Sequence, residues 1–195
     1  CMVITLGACC GPGGLLGRGA MSVGDGRAWS ESSANSAETT SLTLQDGSTY
    51  YGSVRATDIA GNMSTSITGD GITIDTSPPT GGVAIDGDSE DLDFTSSTTT
   101  ITASWTGFTD TGSGVGDYRY AIGTEPGGVQ NVYWLSVGTN TAFTRTGLSL
   151  VHGVTYYVSV KAFDMLGNEG QFVATDGITI DTQTPHGLAC LTITQ

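Results

Sequence analysis

Basic residues are scarce in this chain of 195 residues. Six lysine and arginine residues face 19 aspartate and glutamate residues, Lys161 is the single lysine, and the formal net charge is -13 at pH 7. Because such a surface repels phosphates, nucleic acid and anionic membranes are excluded as expected partners. No run of about 18 or more apolar residues occurs, so no membrane-spanning segment is predicted. The charge balance favours an extracellular or cell-surface protein, and one that could take up cations.

Cysteine is confined to the two ends of the chain, at Cys1, Cys9, Cys10 and Cys190. Their spacing matches no zinc motif. Two interpretations stay open. The cysteines are incidental thiols, or they join one end to another within or between chains, in which case Cys190 would approach Cys9 or Cys10.

Residue patterns that would predict catalysis are also missing. The two histidines, His152 and His186, lie in no recognisable Ser/His/Asp or Cys/His setting. The segment GSGVGD at residues 112–117 superficially resembles a phosphate loop. It lacks the following helix and the P-loop lysine, so we interpret it as a turn. No enzymatic activity is predicted.

The chain does contain a long internal repeat. Residues 42–79 return as residues 148–185 at a constant offset of 106, with 20 of 38 aligned positions identical. A period near 100 residues suits one whole β-domain rather than a solenoid unit. The 30 glycines and the absence of a long apolar helical pattern indicate an all-β composition. The sequence therefore predicts a tandem array of β-modules.

The second repeat shows the alternation typical of half-buried strands. Strands are predicted at Val83–Ile85, Ile101–Trp105, Tyr118–Ile122, Val132–Val137, Ala142–Leu148, Tyr156–Ala162 and Ile178–Ile180. Seven short strands, with turns about every ten residues, indicate a β-sandwich.

These residues resemble a known family. Trp105 in the second strand and Leu150 six residues before Tyr156 are similar to the pattern of a fibronectin type III domain. In that family the tyrosine forms a corner in which its hydroxyl bonds back to the chain just upstream. Leu44 and Tyr50 repeat the pattern. The closing DGITIDT segment is similar to Ig-like repeats of bacterial surface proteins and adhesin extender regions. The fold class implied is all-β, with tandem Ig-like (fibronectin type III-like) β-sandwiches.

The first sandwich is expected to be incomplete. With the shift of 106, strands equivalent to Val83–Ile85 and Ile101–Trp105 find no match before residue 29, and Gly19–Ser22 echoes Tyr120–Gly123 only at another offset. The predicted segments are an atypical N-terminal segment at 1–28, the incomplete repeat at 29–78, the complete repeat at 79–184 and a C-terminal strand at 185–195.

The C-terminal segment looks like an opening strand without a sandwich. Two hypotheses follow. One is a window cut from a longer array, in which the partners are neighbouring repeats of the same chain. The other is head-to-tail self-association, in which the segment 188–194 of one subunit completes the first sandwich of the next and builds a filament. The donated side chains would be those of Leu188, Cys190, Leu191 and Ile193.

Calcium is the cofactor that the residues favour. Carboxylates crowd one loop, and hard oxygen ligands at alternate positions suit Ca²⁺. Asp75 at the junction between the modules adds to them. The alternative is a solvated acidic loop that keeps an array soluble. The candidate ligands are Asp75, Asp86, Asp88, Glu90, Asp91 and Asp93.

Three other features have more modest roles. Asp58 and Asp164 are predicted to cap the amides of the turns that follow them. Asn62 heads the single N-glycosylation sequon. Tyr51 and Tyr157 are the candidates for a glycan- or partner-binding surface. The predicted function is an extracellular structural protein, a repeat module of a spacer or filament, and the alternative is an adhesin-type module that recognises glycan or protein.

Overall fold

The computed structural model describes residues 42–185 and, before them, the backbone of four short strands at 2–5, 18–23, 30–32 and 36–39. The described residues form seventeen strands and no helix. The chain divides into two units, Cys1–Thr76 and Ser77–Gln195. The four predicted segments stay predictions.

The first unit contains three small sheets. One has four strands in the order β3–β2–β6–β7, and the other two are the pairs β1–β4 and β5–β8. Its strands are β1 (Met2–Thr5), β2 (Arg18–Val23), β3 (Ser30–Ser32), β4 (Ser36–Thr39), β5 (Thr49–Tyr50), β6 (Gly52–Thr57), β7 (Ile67–Thr68) and β8 (Ile72–Thr73).

The second unit is a two-sheet sandwich. One sheet has the order β10–β17–β15–β12–β13, with β16 also paired to β15, and the other has the order β14–β11–β9. Its strands are β9 (Thr80–Asp86), β10 (Phe94–Thr95), β11 (Ile101–Thr109), β12 (Val115–Gly123), β13 (Val132–Ser136), β14 (Ala142–Arg145), β15 (Thr155–Asp164), β16 (Val173–Ala174) and β17 (Ile178–Ile180). The seven predicted strands are all present. The two-residue strands β10 and β16 were not predicted, because two residues are too few to show alternation.

The core of the second unit lies between these two sheets. Ile101, Ala103 and Trp105 alternate along β11 and are buried, as predicted. Tyr120 and Ile122 of β12 belong to the same buried cluster. The indole of Trp105 meets the ring of Tyr118 edge-on at 5.7 Å between centroids, a favourable arrangement for two aromatic rings.

One expectation about the first unit is wrong. The strand equivalent to Ile101–Trp105 was expected to be absent, but β1 occupies its place. Met2 pairs with Thr39 as Ile101 pairs with Arg145, so the first strand lies 99 rather than 106 residues before its counterpart.

The register of β2 requires the same correction. Gly19 pairs with Ala56 as Tyr118 pairs with Ala162, so Gly19 corresponds to Tyr118 and not to Tyr120. Because the offset changes from 99 to 106 between β2 and β4, a search at one fixed offset misses this half of the module. No strand in the described part of the first unit corresponds to β9. That the first sandwich is incomplete stays a prediction.

Each unit contains a tyrosine corner of its own. The amide of Val151 donates to the Tyr156 hydroxyl at 3.1 Å, and the amide of Gln45 donates to the Tyr50 hydroxyl at 2.9 Å. Both hydroxyls thus bond to the chain five residues upstream, as the resemblance implied. The threonine pair Thr155–Thr179 also repeats as Thr49–Thr73, each with 2.8 Å between hydroxyl oxygens. These bonds fix the same strand pairing in both units.

Candidate functional site

The acidic segment that the sequence singled out connects β9 to β10. Asp86 is the last residue of β9, and the amide of Leu92 donates to its carbonyl at 2.8 Å, which closes the loop. Gly87 has φ of 114°, a conformation that L side chains rarely adopt, and a Cβ there would collide with the carbonyl of Glu90. At the far end of the loop, the amide of Thr179 donates to the Asp93 carbonyl at 2.8 Å. The loop is therefore held at both ends against the sandwich.

Asp86 is the buried member of this acidic group, with none of its surface exposed. Its Oδ2 accepts a hydrogen bond of 3.0 Å from the amide of Gly177, and the hydroxyl of Thr175 also bonds to the carboxylate. Its Oδ1 is buried without a hydrogen-bond partner. Carboxylate oxygens of Asp86, Asp91 and Asp176 all lie within 4.8 Å of one another. A buried carboxylate oxygen without a partner is costly and calls for an explanation.

Burial and mutual repulsion make it unfavourable for Asp86, Asp91 and Asp176 to be ionised together without a counter-ion. Burial is the main cause that raises the pKa of Asp86 to about 7, and it outweighs the hydrogen bonds from Thr175 and Gly177. The charges of Asp91 and Asp176 raise the pKa further. A neighbouring cation would relieve both the burial penalty and the repulsion.

The structure brings together only some of the predicted ligands. Asp86 and Asp91 lie in the group, whereas Asp88, Glu90 and Asp93 are exposed on the same loop and are not members of it. Asp75 is buried and belongs to the first unit.

Asp176 was missed by the sequence reasoning. It lies 90 residues from Asp86, in the turn between β16 and β17, and is brought close by the hydrogen bond from the Gly177 amide to Asp86. The signal available was the Asp-Gly pair that opens each copy of DGITIDT. That pattern marks a turn, but nothing in it shows which loop the turn faces.

The two Asp-x-x-Gly-Asn turns are built as predicted. Asp164 accepts hydrogen bonds of 2.8 Å from the amides of Leu166 and Asn168, and the Asn168 side chain donates to it at 2.6 Å. Asp58 accepts bonds of 2.8 Å from the amide and the side chain of Asn62. Burial works to raise the pKa of Asp164, but the bonds from Asn168, Leu166 and Gly167 together lower it. The side-chain bond from Asn62 is the main cause that lowers the pKa of Asp58.

Asn62 and the outward tyrosines are placed as follows. Asn62 is exposed, and its side-chain amide donates to Asp58. Tyr51 is 45% exposed, whereas Tyr157 is half-buried. A Cβ at Gly71 or Gly177 would lie 2.8 or 2.7 Å from the ring of Tyr51 or Tyr157 respectively, so each ring packs over the glycine of its DGITIDT turn. This packing is common to both units, which indicates a structural role for the tyrosines.

Several predicted site residues lie outside the described residues. They are Cys9, Cys10, Cys190, Leu188, Leu191 and Ile193. In the part of the chain that the structure describes, no helix is long and apolar enough to cross a membrane.

The chain is similar to known proteins over part of their length. No protein-family model matches it. It is 30% identical over 158 residues to exoglucanase B of Cellulomonas fimi, a match that covers 77% of this chain and 13% of that relative. The chain thus spans about an eighth of the length of this curated relative.

Among solved structures, the chain is similar to the FN1–FN3 domains of chicken CNTN1. That likeness has a TM-score of 0.44 and 16% identity, and covers 85% of this chain and 56% of that one. A structure of domains from titin matches with a TM-score of 0.49 and 14% identity, covering 85% of this chain and 55% of that one.

The resemblance to fibronectin type III and Ig-like modules is confirmed at the level of the fold. It rests on the two-sheet sandwich, its buried Trp105 and the two tyrosine corners.

Proposed function

We propose that this chain is a load-bearing repeat module of an extracellular spacer. The observation that carries the proposal is the pairing of β10 with β17, the one parallel pair among the described strands, in which Phe94 pairs with Thr179 and Thr95 with Ile180. β10 follows β9 and the acidic loop, and β17 is the last strand of the second sandwich.

The direction of this pair decides how it responds to tension. Pulling on the two ends of the unit loads β9 first, which pairs with β11. Once β9 is released, the force draws β10 by its N-terminal side and β17 by its C-terminal side. Because the strands are parallel, this force shears them along their length and loads their hydrogen bonds together. The amide of Thr179 donates to the Asp93 carbonyl, and the amide of Asp181 donates to the Thr95 carbonyl, each at 2.8 Å. These bonds must break at the same time before the sandwich can extend further.

The first unit supplies an internal control. Thr73 of β8 corresponds to Thr179 of β17, but no described strand of the first unit pairs in parallel with β8. We expect the second unit to unfold at the higher force when one molecule is stretched by force spectroscopy.

Two matched substitutions test this proposal. Thr179→Pro removes the amide that donates to Asp93, so the stronger unfolding event should weaken. Thr73→Pro should leave that event unchanged. Equal loss from both substitutions, or a stronger event that survives Thr179→Pro, would overturn the proposed role of the parallel pair.

A filament assembled by strand complementation is the second candidate. It is supported by β1, which pairs with β4 on one edge and has no partner on the other among the described residues. The corresponding edge of β11 is covered by β9. An open strand edge is a template for a strand from another chain. Residues 188–194 are proposed as that strand.

Electron microscopy of the purified chain distinguishes this assembly from a spacer. Strand donation predicts filaments that are lost in Leu191→Pro, because proline in the donated strand interrupts the ladder. Gln195→Pro, just beyond the donated strand, serves as the control and should leave the filaments intact. Single molecules of the unsubstituted chain at all concentrations would contradict strand donation and leave the spacer proposal standing.

A further inference from the structure

We propose that Asp86, Asp91 and Asp176 form a calcium-binding site in the second unit, which joins the end of β9 to the turn before β17. Two independent observations support the site. The first is the convergence of three carboxylates from two segments, the loop with Asp86 and Asp91 and the turn with Asp176, and the second is the buried Oδ1 of Asp86, which has no hydrogen-bond partner. The site does not depend on the proposed mechanical function.

The geometry around Asp86 leaves one oxygen available for an ion. Its Oδ2 is already occupied by the amide of Gly177 at 3.0 Å. This bond, together with that from Thr175, fixes the carboxylate plane, while Oδ1 receives no donor. Oδ1 is therefore suited to accept a cation rather than another hydrogen bond.

The donor set fits calcium. Ca²⁺ takes six to eight oxygen ligands in a flexible geometry, whereas Mg²⁺ demands near-octahedral geometry and usually keeps several of its waters. The three carboxylates have oxygens within 4.8 Å of one another, and all the side-chain ligands are hard oxygen donors. Asp91 and Asp176 are exposed, so water can complete the six to eight ligands that Ca²⁺ takes. The donor set contains no nitrogen or sulfur of the kind that Zn²⁺ prefers.

The position of the site gives it a structural consequence. An ion held by Asp86 and Asp176 would connect two segments that are 90 residues apart in the sequence, and a ligand that binds only the folded state stabilises it. The loop residues Asp88, Glu90 and Asp93 would remain outside the coordination sphere. Calcium is thus assigned to the beginning of the loop, at Asp86 and Asp91, and to the turn between β16 and β17, which contains Asp176. That turn is not part of the acidic cluster in the sequence.

Calorimetric titration of the chelator-treated chain with CaCl₂ tests the site. We expect a saturable binding event that Asp86→Asn and Asp176→Asn each weaken by about tenfold or more, since affinity follows the number of charged ligands. Asp88→Asn is the matched control, because it removes the same charge from the same loop outside the group, and it should change the affinity by less than about twofold. MgCl₂ should bind more weakly than CaCl₂.

Two outcomes would overturn the proposal. One is the absence of saturable calcium binding at millimolar concentrations. The other is equal weakening by Asp88→Asn and Asp176→Asn, which would indicate diffuse attraction to an acidic surface. Because Asp176 is exposed, its variant should fold even if Asp86→Asn does not, and circular dichroism spectra of each variant verify this.

Discussion

The tyrosine corner of the second unit makes a prediction that can be worked through in magnitude. In Tyr156→Phe the ring and its packing are retained, and only the hydroxyl that accepts from the amide of Val151 at 3.1 Å is removed. Tyr156 is 3% exposed, so water cannot readily take the place of the hydroxyl. Leaving a donor unpaired costs about 1–3 kcal/mol. Since Val151 lies on an exposed turn and its amide can regain some solvent, we expect a loss of about 1 kcal/mol.

The first unit should respond less to the same change. Tyr50→Phe removes the acceptor of the Gln45 amide, but Tyr50 is only half-buried and Gln45 is exposed. We expect a loss of about 0.5 kcal/mol, the lower end for a hydrogen bond that water can replace. Tyr133→Phe is the control, because Tyr133 is 72% exposed and its ring supports neither corner.

Urea unfolding followed by fluorescence measures these differences. Trp105 and Trp134 belong to the second unit and Trp29 to the first, so the emission reports on both units, and the transition of each is followed in the series of variants. With a slope of about 1–3 kcal/mol per molar urea, a loss of about 1 kcal/mol shifts the midpoint by about 0.3–1 M. A Tyr156→Phe variant that unfolds at the same urea concentration as Tyr133→Phe would refute the reasoning, and so would a larger loss from Tyr50→Phe.

Three further predictions concern the second unit. Trp105→Ala should destabilise this unit by about 3–5 kcal/mol, measured by urea unfolding, because it opens a cavity in the core. Gly177→Ala should cost more than about 1 kcal/mol in the same assay, since Gly177 has φ of 104° and a Cβ would lie 2.7 Å from the Tyr157 ring. The lowered pKa of Asp164 means that its ionised form stabilises the fold above the ordinary value of 3.8 and loses this effect as the pH falls through the lower folded pKa. Thermal unfolding midpoints between about pH 5 and pH 2 should therefore fall more steeply for the unsubstituted chain than for Asp164→Asn, and equal slopes would contradict this assignment.

The features that could be predicted from the sequence are those with local causes. Val151 and Tyr156 are five residues apart, and Asp164 and Asn168 are four apart, so short patterns contain both partners of each bond. Alternation predicted β11 and β15, because each is long enough to display a buried face. Two of the three proposed calcium ligands, Asp86 and Asp91, were predicted because they lie five residues apart in one acidic loop.

The features that could not be predicted depend on distant segments. The position of Asp176 beside Asp86 results from the pairing of β17 with β10 and β15, which no local pattern encodes. The place of β1 was missed because the segment between β2 and β4 is shorter than its counterpart, so one fixed offset could not align both sides of it.

The force–extension curve of the unsubstituted chain, held by its two ends, tests the load-bearing role most directly. The account predicts two unfolding events of unequal force. The stronger event should lengthen the chain by roughly 30 nm, which is the extension of about 100 residues at 3.3–3.6 Å each less the few nanometres that the folded unit already spans. Two weak events of equal force, or extension without a resolved event, would contradict the proposal that the parallel β10–β17 pair makes this module a spacer under tension.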